Sequence, residues 1–195
     1  MAKTPRPRTN DDIIDEFKTA AWQDEVDIIN NLAAKHPWLV DPAKPYLVEA
    51  LHTACNACQQ NSAQLLVEKY KADVNVISPD GLNALHEAMN SHDIVTAKML
   101  IRNGADVNIP TQTTDGFVDG WTPLHFAISS GDTEMILLML KHGADPKLKE
   151  KDGLDAAAFA RRDKREDLAT IIEKMTAQAP ETRIVPKRKT PGPGL

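Results

Sequence analysis

Cysteine and aromatic residues are scarce in this chain. Only two of its 195 residues are cysteines, and Phe, Trp and Tyr together account for 5%. A disulfide framework would need more cysteines, so we expect a fold without cross-links. The hydrophobic share of 42% still permits a core, which Leu, Ile, Val, Ala and Met must build.

Long apolar runs are also absent from the sequence. No stretch approaches the roughly 18 consecutive apolar residues that a membrane span requires. The N-terminal residues lack the apolar segment of a secretory signal. We therefore expect a soluble, reduced, cytoplasmic protein with no membrane partner.

Positive charge is concentrated at the two ends. Of 23 basic and 28 acidic residues, segments 1–9 and 181–195 hold seven bases and one acid, which leaves 16 bases and 27 acids in residues 10–180. Because binding to duplex DNA needs clustered Lys and Arg, this acidic body disfavours nucleic-acid binding. Residues 1–10 and 176–195 are predicted to be disordered basic tails, and Lys187-Arg188-Lys189 resembles a nuclear import signal, which makes a nuclear location an alternative.

Two sequence elements recur along the chain. Residues 80–88 (DGLNALHEA) return at 119–127 (DGWTPLHFA) and, in degenerate form, at 152–160 (DGLDAAAFA). Residues 103–108 (NGADVN) match 142–147 (HGADPK) and 70–75 (YKADVN). The alanine that ends the first element falls at 54, 88, 127 and 160, at spacings of 34, 39 and 33, and Ala20 stands 34 residues before the first of them.

These elements resemble the ankyrin repeat, a unit of about 33 residues with a turn and two antiparallel helices. The resemblance implies an all-α solenoid of about five helix–turn–helix repeats with β-turn or hairpin loops, over residues 11–175. The expected units are 11–44, 45–78, 79–111, 118–150 and 151–175. Lys71 departs from the family's glycine, Asn83-Ala84 departs from its Thr-Pro, and the end copies are degenerate, as expected where one face meets water. We expect a monomer.

Several positions have a physical role that agrees with this resemblance. Thr122 can cap a helix that begins at Pro123. Gly104 and Gly143 stand where a helix ends in the left-handed conformation, which Lys71 must adopt at an energetic cost.

Apolar residues at helical spacing are predicted to form the core. The two stripes are Met135, Leu138 and Met139, and Ile94, Val95, Met99 and Leu100. Ala54, Ala88 and Ala127 are predicted to be small because adjacent helices approach closely there.

The histidines of the repeat are interpreted as structural. His86 and His125 recur in register, and the resemblance implies that each bridges neighbouring repeats through hydrogen bonds to backbone. The recurring Asp-Gly pairs are turns. No serine has nucleophile-elbow glycines, and no Gly-rich phosphate loop is present. We therefore predict no enzyme activity, no catalytic residues and no cofactor.

His52, Cys55 and Cys58 form the one cluster with ligand chemistry. Steps of three on a helix would place them within about 120° of arc. A structural zinc site takes four ligands, usually from two elements, and no second Cys pair exists. We predict no bound metal and two thiols buried at a helix interface, and we keep a metal-binding or redox protein as the alternative function.

Residues 109–120 are the main irregularity of the repeat. This interval is about six residues longer than elsewhere, and insertions in repeat proteins map to loops, often on the binding face. Asp115-Gly116 suits a two-residue hairpin turn. We predict a projecting finger with Thr113, Phe117 and Val118 near its tip and Trp121 at its base.

Ankyrin-like stacks bind through their turn tips and the inner face of their first helices. Trp121 is predicted to face this groove as an anchor, unless Phe117 and Trp121 only pack together and stiffen the loop. Leu82, Asn90, Ser129 and Arg162 are further partner-binding candidates by register.

The predicted function is protein–protein interaction, as an adaptor, inhibitor or effector. A partner protein with basic and apolar groups would complement the acidic body. A third hypothesis is that the repeats only position the basic tails.

Overall fold

The computed structural model describes residues 8–113, 116 and 118–178, and within them it contains helices and turns but no strand. The α helices of this part are α1 (Asn10–Trp22), α2 (Val26–Lys35), α3 (Tyr46–Asn56), α4 (Gln60–Glu68), α5 (Ala84–Asn90), α6 (Ile94–Arg102), α7 (Pro123–Ser130), α8 (Thr133–Lys141), α9 (Ala156–Arg162) and α10 (Glu166–Gln178), with a 3-10 helix at Pro37–Val40. The all-α prediction is confirmed. None of the described helices combines the length and apolarity needed to cross a bilayer.

The helices pair in chain order, and the five pairs stack side by side. Within the pairs, α1 packs on α2, α3 on α4, α5 on α6, α7 on α8 and α9 on α10. The first helices form one row, in which α3 contacts α1 and α5, and α7 contacts α5 and α9. The second helices form another, in which α4 contacts α2 and α6, and α10 contacts α8. We call these the first-helix row and the second-helix row.

Alanine permits close approach within the first-helix row. One alanine per pair falls in the same register, and all five are at most 1% exposed: Ala20, Ala54, Ala88, Ala127 and Ala160. A larger side chain at any of these positions would hold neighbouring helices apart, because protein cores are packed without spare volume. The predicted role of the alanines at 54, 88 and 127 is confirmed.

The predicted core stripes are buried or, at Ile94 and Met99, partly buried against the core, with one exception. Met135, Met139 and Leu100 are fully buried. Val95 is 54% exposed, so its assignment to the core was wrong. The side chain of Asp93 caps α6 by accepting from the N–H groups of Val95 and Thr96, which places Val95 in the first turn.

A single left-handed residue joins the two helices of each pair. These residues have φ between 56° and 76° and follow the row alanines by four positions: Asp24, Cys58, His92, Gly131 and Lys164. Because only one of them is glycine, the sequence pattern did not reveal them.

Two asparagine side chains each tie one loop to the next. The amide nitrogen donates to the carbonyl of the glycine at the end of the next second-row helix. The amide oxygen accepts from the backbone N–H of the residue two positions after that glycine. These contacts join Asn75 to Gly104 O (2.9 Å) and Asp106 N (2.8 Å), and Asn108 to Gly143 O (3.1 Å) and Asp145 N (2.7 Å). In the last copy Lys147 replaces the asparagine. The last second-row helix, α10, continues to Gln178.

Two of the recurring histidines also connect neighbouring pairs. Nε2 of His86 lies 2.9 Å from the carbonyl oxygen of Ile109, and the prediction for His86 is confirmed. His125 contacts the next pair through its ring, whose centroid lies 5.1 Å from that of Phe159. Its Nδ1 accepts from the N–H of Thr122, the N-cap of α7, at 3.2 Å. Burial lowers the pKa of both histidines to about 4, so both are neutral at pH 7.

The left-handed conformations at the ends of the second helices give a first test. Gly104 and Gly143 have φ of 90° and 95°, and Lys71 has φ of 62°, as predicted. Lys71→Gly should raise the free energy of unfolding by about 0.5–1 kcal/mol, because removing the strain outweighs the extra freedom of glycine in the unfolded chain. Chemical denaturation would measure this change.

Gly104→Lys is the matched reverse substitution. Nothing lies within 4 Å of a Cβ added at Gly104, so only backbone strain opposes it. A destabilisation of about 1 kcal/mol is expected. Equal stability of the three proteins would contradict the assignment of strain.

The buried histidines predict a loss of stability in acid. A histidine with a folded-state pKa near 4 binds fewer protons when folded than when unfolded, where its pKa is about 6.5. The contribution of each buried neutral histidine to the free energy of unfolding is therefore complete above pH 6.5, and it decreases as the pH falls toward 4. From pH 7 to pH 4, wild type should lose about 3 kcal/mol more than His86→Gln.

The exposed His142 supplies the control for this test. His142→Gln should follow the wild-type dependence of unfolding free energy on pH. If the unfolding free energies of wild type and His86→Gln change with pH in the same way, His86 is not held neutral by burial.

Candidate functional site

The histidine and cysteine cluster is separated by the fold. α3 ends at Asn56, so Cys58 lies beyond the helix, at φ 57°, and is exposed. The expectation that both thiols are buried on one helix was therefore wrong for Cys58. Cys55 is buried, which raises its pKa, and Nε2 of His52 lies 3.2 Å from the carbonyl oxygen of Val76. No group of three or more metal-ligating side chains occurs in the described part of the chain.

The inserted segment enlarges one of three equivalent turns. In each turn a backbone N–H donates across the base to a carbonyl: Ser78 to Leu82 (2.7 Å), Glu150 to Leu154 (3.1 Å) and Thr111 to Trp121 (2.8 Å). The bonded residues are four apart in the first two turns and ten apart in the third. The six extra residues therefore lie between Thr111 and Trp121, and the base of the turn is unchanged.

Both ends of this insertion are bound to neighbouring turns. The N–H of Gln112 donates to the carbonyl of Gly81 at 2.9 Å, and the N–H of Lys151 donates to the carbonyl of Asp119 at 3.2 Å. Nζ of Lys151 also donates to the carbonyl of Gly116 at 2.9 Å. The insertion is thus held on two sides at its base.

Part of the predicted finger lies outside the described residues. Thr114, Asp115 and Phe117 belong to that part, and with them the predicted hairpin turn at 115–116 and the predicted packing of Phe117 on Trp121. Thr113 and Val118, which flank them, are half-buried.

Trp121 belongs mainly to the core. Its side chain is 6% exposed, and its ring meets Phe126 at 5.3 Å and Phe159 at 4.9 Å in edge-to-face geometry. The prediction that Trp121 stands in the groove as an open anchor is corrected on this point, because the phenylalanines of α7 and α9 enclose its ring. Only a small part of Trp121 reaches the surface.

Trp121 also lines an open cavity of about 420 Å³ at the base of the finger. We call it the Val118 pocket; it is lined by Met89, Asn90, His92, Val118, Trp121, Phe126, Ser129 and Ser130. Four predicted binding residues, at 90, 118, 121 and 129, therefore come together here. Its floor is apolar and its rim is polar.

The other predicted binding residues do not line this pocket. Leu82 is half-buried and packs against the core. Arg162 is exposed, with its guanidinium 4.3 Å from the ring centre of Phe159 and 3.5 Å from the carboxylate of Asp152.

Three of the predicted binding residues, Asn90, Ser129 and Arg162, occupy equivalent positions in successive first helices. The residue two places after each row alanine defines what we call the groove row: Trp22, Asn56, Asn90, Ser129 and Arg162. Trp22 is 55% exposed, more than any other large apolar side chain in the described residues. Trp22 was not among the predicted binding residues, although its position two residues after Ala20 carried the signal.

A buried carboxylate lies beside the groove row. Glu87 is 8% exposed, and burial raises its pKa, although a hydrogen bond from Asn56 opposes this shift. That bond, from Nδ2 of Asn56, is 2.9 Å long and connects α3 with α5. The middle of the groove row is therefore fixed in position.

Comparison with known proteins agrees with this architecture. A family model for ankyrin repeats matches the chain in three copies, over residues 17–111, 51–150 and 96–178. No curated protein matches the chain significantly. Ankyrin repeats are generally protein–protein interaction modules. Since the matches cover residues 17–178, well over half of its length, the chain belongs to the ankyrin repeat family.

Proposed function

We propose that this chain binds a partner protein through the groove row and the 109–120 finger, and so acts as an adaptor, inhibitor or effector. The observation that carries this proposal is the Val118 pocket, where the groove row and the base of the finger meet. The same proposal has the chain acting as a cytoplasmic monomer, without catalysis and without binding nucleic acid or membrane.

The pocket supports binding because its floor is already rigid. Met89 is fully buried and Phe126 is 6% exposed, so both are held by the core whether or not a partner is present. A partner side chain buried there would lose its own conformational freedom, but the residues of the pocket floor would lose little more than they already have. Such preorganisation favours affinity. Asn90 and Ser129 at the rim can satisfy polar groups of the partner around a dry centre.

Filling the pocket tests this proposal. Ser129→Trp places an indole in the space that the partner would occupy, and should weaken binding at least tenfold, or about 1.4 kcal/mol. The partner would first be captured with wild-type protein from a lysate of the cells that make the chain. Its dissociation constant would then be measured with purified components.

Val95→Trp is the matched control, because Val95 is exposed on the second-helix row. This variant should bind as wild type does. Retained affinity in a folded Ser129→Trp protein would show that the pocket is not part of the binding surface.

A further inference from the structure

We infer that the partner crosses the groove row as an extended segment, with a basic side chain on Trp22 and a large apolar side chain in the Val118 pocket. This inference rests on the proposed function, because it assumes that the groove binds a protein. It adds a second anchor point and the chemistry of the segment that joins the two.

Trp22 has the properties of an unoccupied anchor. It is the last residue of α1, and its side chain is 55% exposed. Its register places it in line with Asn90 and Ser129, which line the pocket. Tryptophan is among the residues that dominate binding energy at protein interfaces. Val95 has a similar exposure of 54% but belongs to α6 in the second-helix row.

Charge beside Trp22 favours a basic partner group. The turn that follows carries Asp24, Glu25 and Asp27, which line a cavity of about 640 Å³. None of these carboxylates has a basic side chain within 4 Å in the described part of the chain. Trp22 does not itself line this cavity, but it lies two residues before Asp24. A Lys or Arg stacked on the indole, whose face attracts cations, would therefore also lie in the negative potential of the turn.

The turn is also held in shape without a partner. The carboxylate of Asp24 accepts from the N–H of Ser62 and from Nδ2 of Asn61, both at 2.7 Å. These bonds fix the start of α4 against the turn. The carboxylate of Asp24 and the turn beside Trp22 are therefore held in one arrangement.

The distance between the two anchors sets the length of the segment. Trp22 and Ser129 lie on α1 and α7, which are separated by α3 and α5 in the first-helix row. With about 8–10 Å between adjacent helices, the anchors are about 25–30 Å apart. An extended chain covers about 3.3–3.6 Å per residue, so about eight residues separate the basic from the apolar side chain.

The surface between the anchors suits an extended backbone. Asn56 and Asn90 are both exposed and occupy the intermediate positions of the groove row. An amide side chain can both donate to and accept from a peptide backbone. The partner residues between the anchors can therefore be of varied type.

Selection from a phage-displayed library of random 16-residue peptides, with the full chain as target, tests this inference. The enriched peptides should share a Lys or Arg about eight positions from a large apolar residue. Trp22→Ala, and separately Glu25→Gln with Asp27→Asn, should weaken a selected peptide at least tenfold in fluorescence anisotropy. Replacing the peptide's basic residue by Gln should abolish the effect of the carboxylate variant.

Val95→Ala serves as the control, since it removes an equally exposed side chain and should leave affinity unchanged. Enriched peptides without a basic residue, an empty selection, or full affinity for folded Trp22→Ala would each overturn the inference. If Trp22→Ala binds normally while Ser129→Trp does not, the second anchor is wrong and the proposed function stands. If neither Trp22→Ala nor Ser129→Trp changes the affinity, the inference and the proposed function are both wrong.

Discussion

The structure depends on the burial of each helix pair against its neighbours. A pair of short helices such as α5 and α6, of seven and nine residues, has too little surface to form a core by itself. Contact within the first-helix row is close because the row alanines are almost completely buried. The asparagine contacts between loops then fix the register of one pair on the next. Stability is therefore shared along the stack.

Features that repeat in the sequence were predictable. The alanine row, the glycines at 104 and 143 and the strained Lys71 all follow from aligning the chain on itself, because each copy supports the interpretation of the others. His86 was interpreted correctly for the same reason. Features whose side chains differ between copies were not found. The left-handed residue between paired helices is Asp, Cys, His, Gly or Lys, so backbone geometry is conserved there without a residue signature.

The sequence named several residues that meet in the Val118 pocket, but not how their neighbours pack around them. The register named Asn90 and Ser129 as groove candidates, and the structure places them beside the base of the finger. It could not show that Phe126 and Phe159 enclose Trp121, since this depends on rings from two neighbouring pairs. Trp22 was overlooked because the first copy is degenerate, and its place in the row becomes clear only once α1 is seen beside α3.

The unchanged base of the enlarged turn separates the inserted residues from the contacts that fold the stack. Thr111 and Trp121 close the loop as their counterparts do in the ordinary turns, and Gly81 and Lys151 hold it from either side. The residues between can change in number and type while the stack beneath keeps its contacts, since closing a longer loop adds little entropic penalty. This position is thus a natural place to graft foreign loops without disturbing the contacts that stabilise the stack.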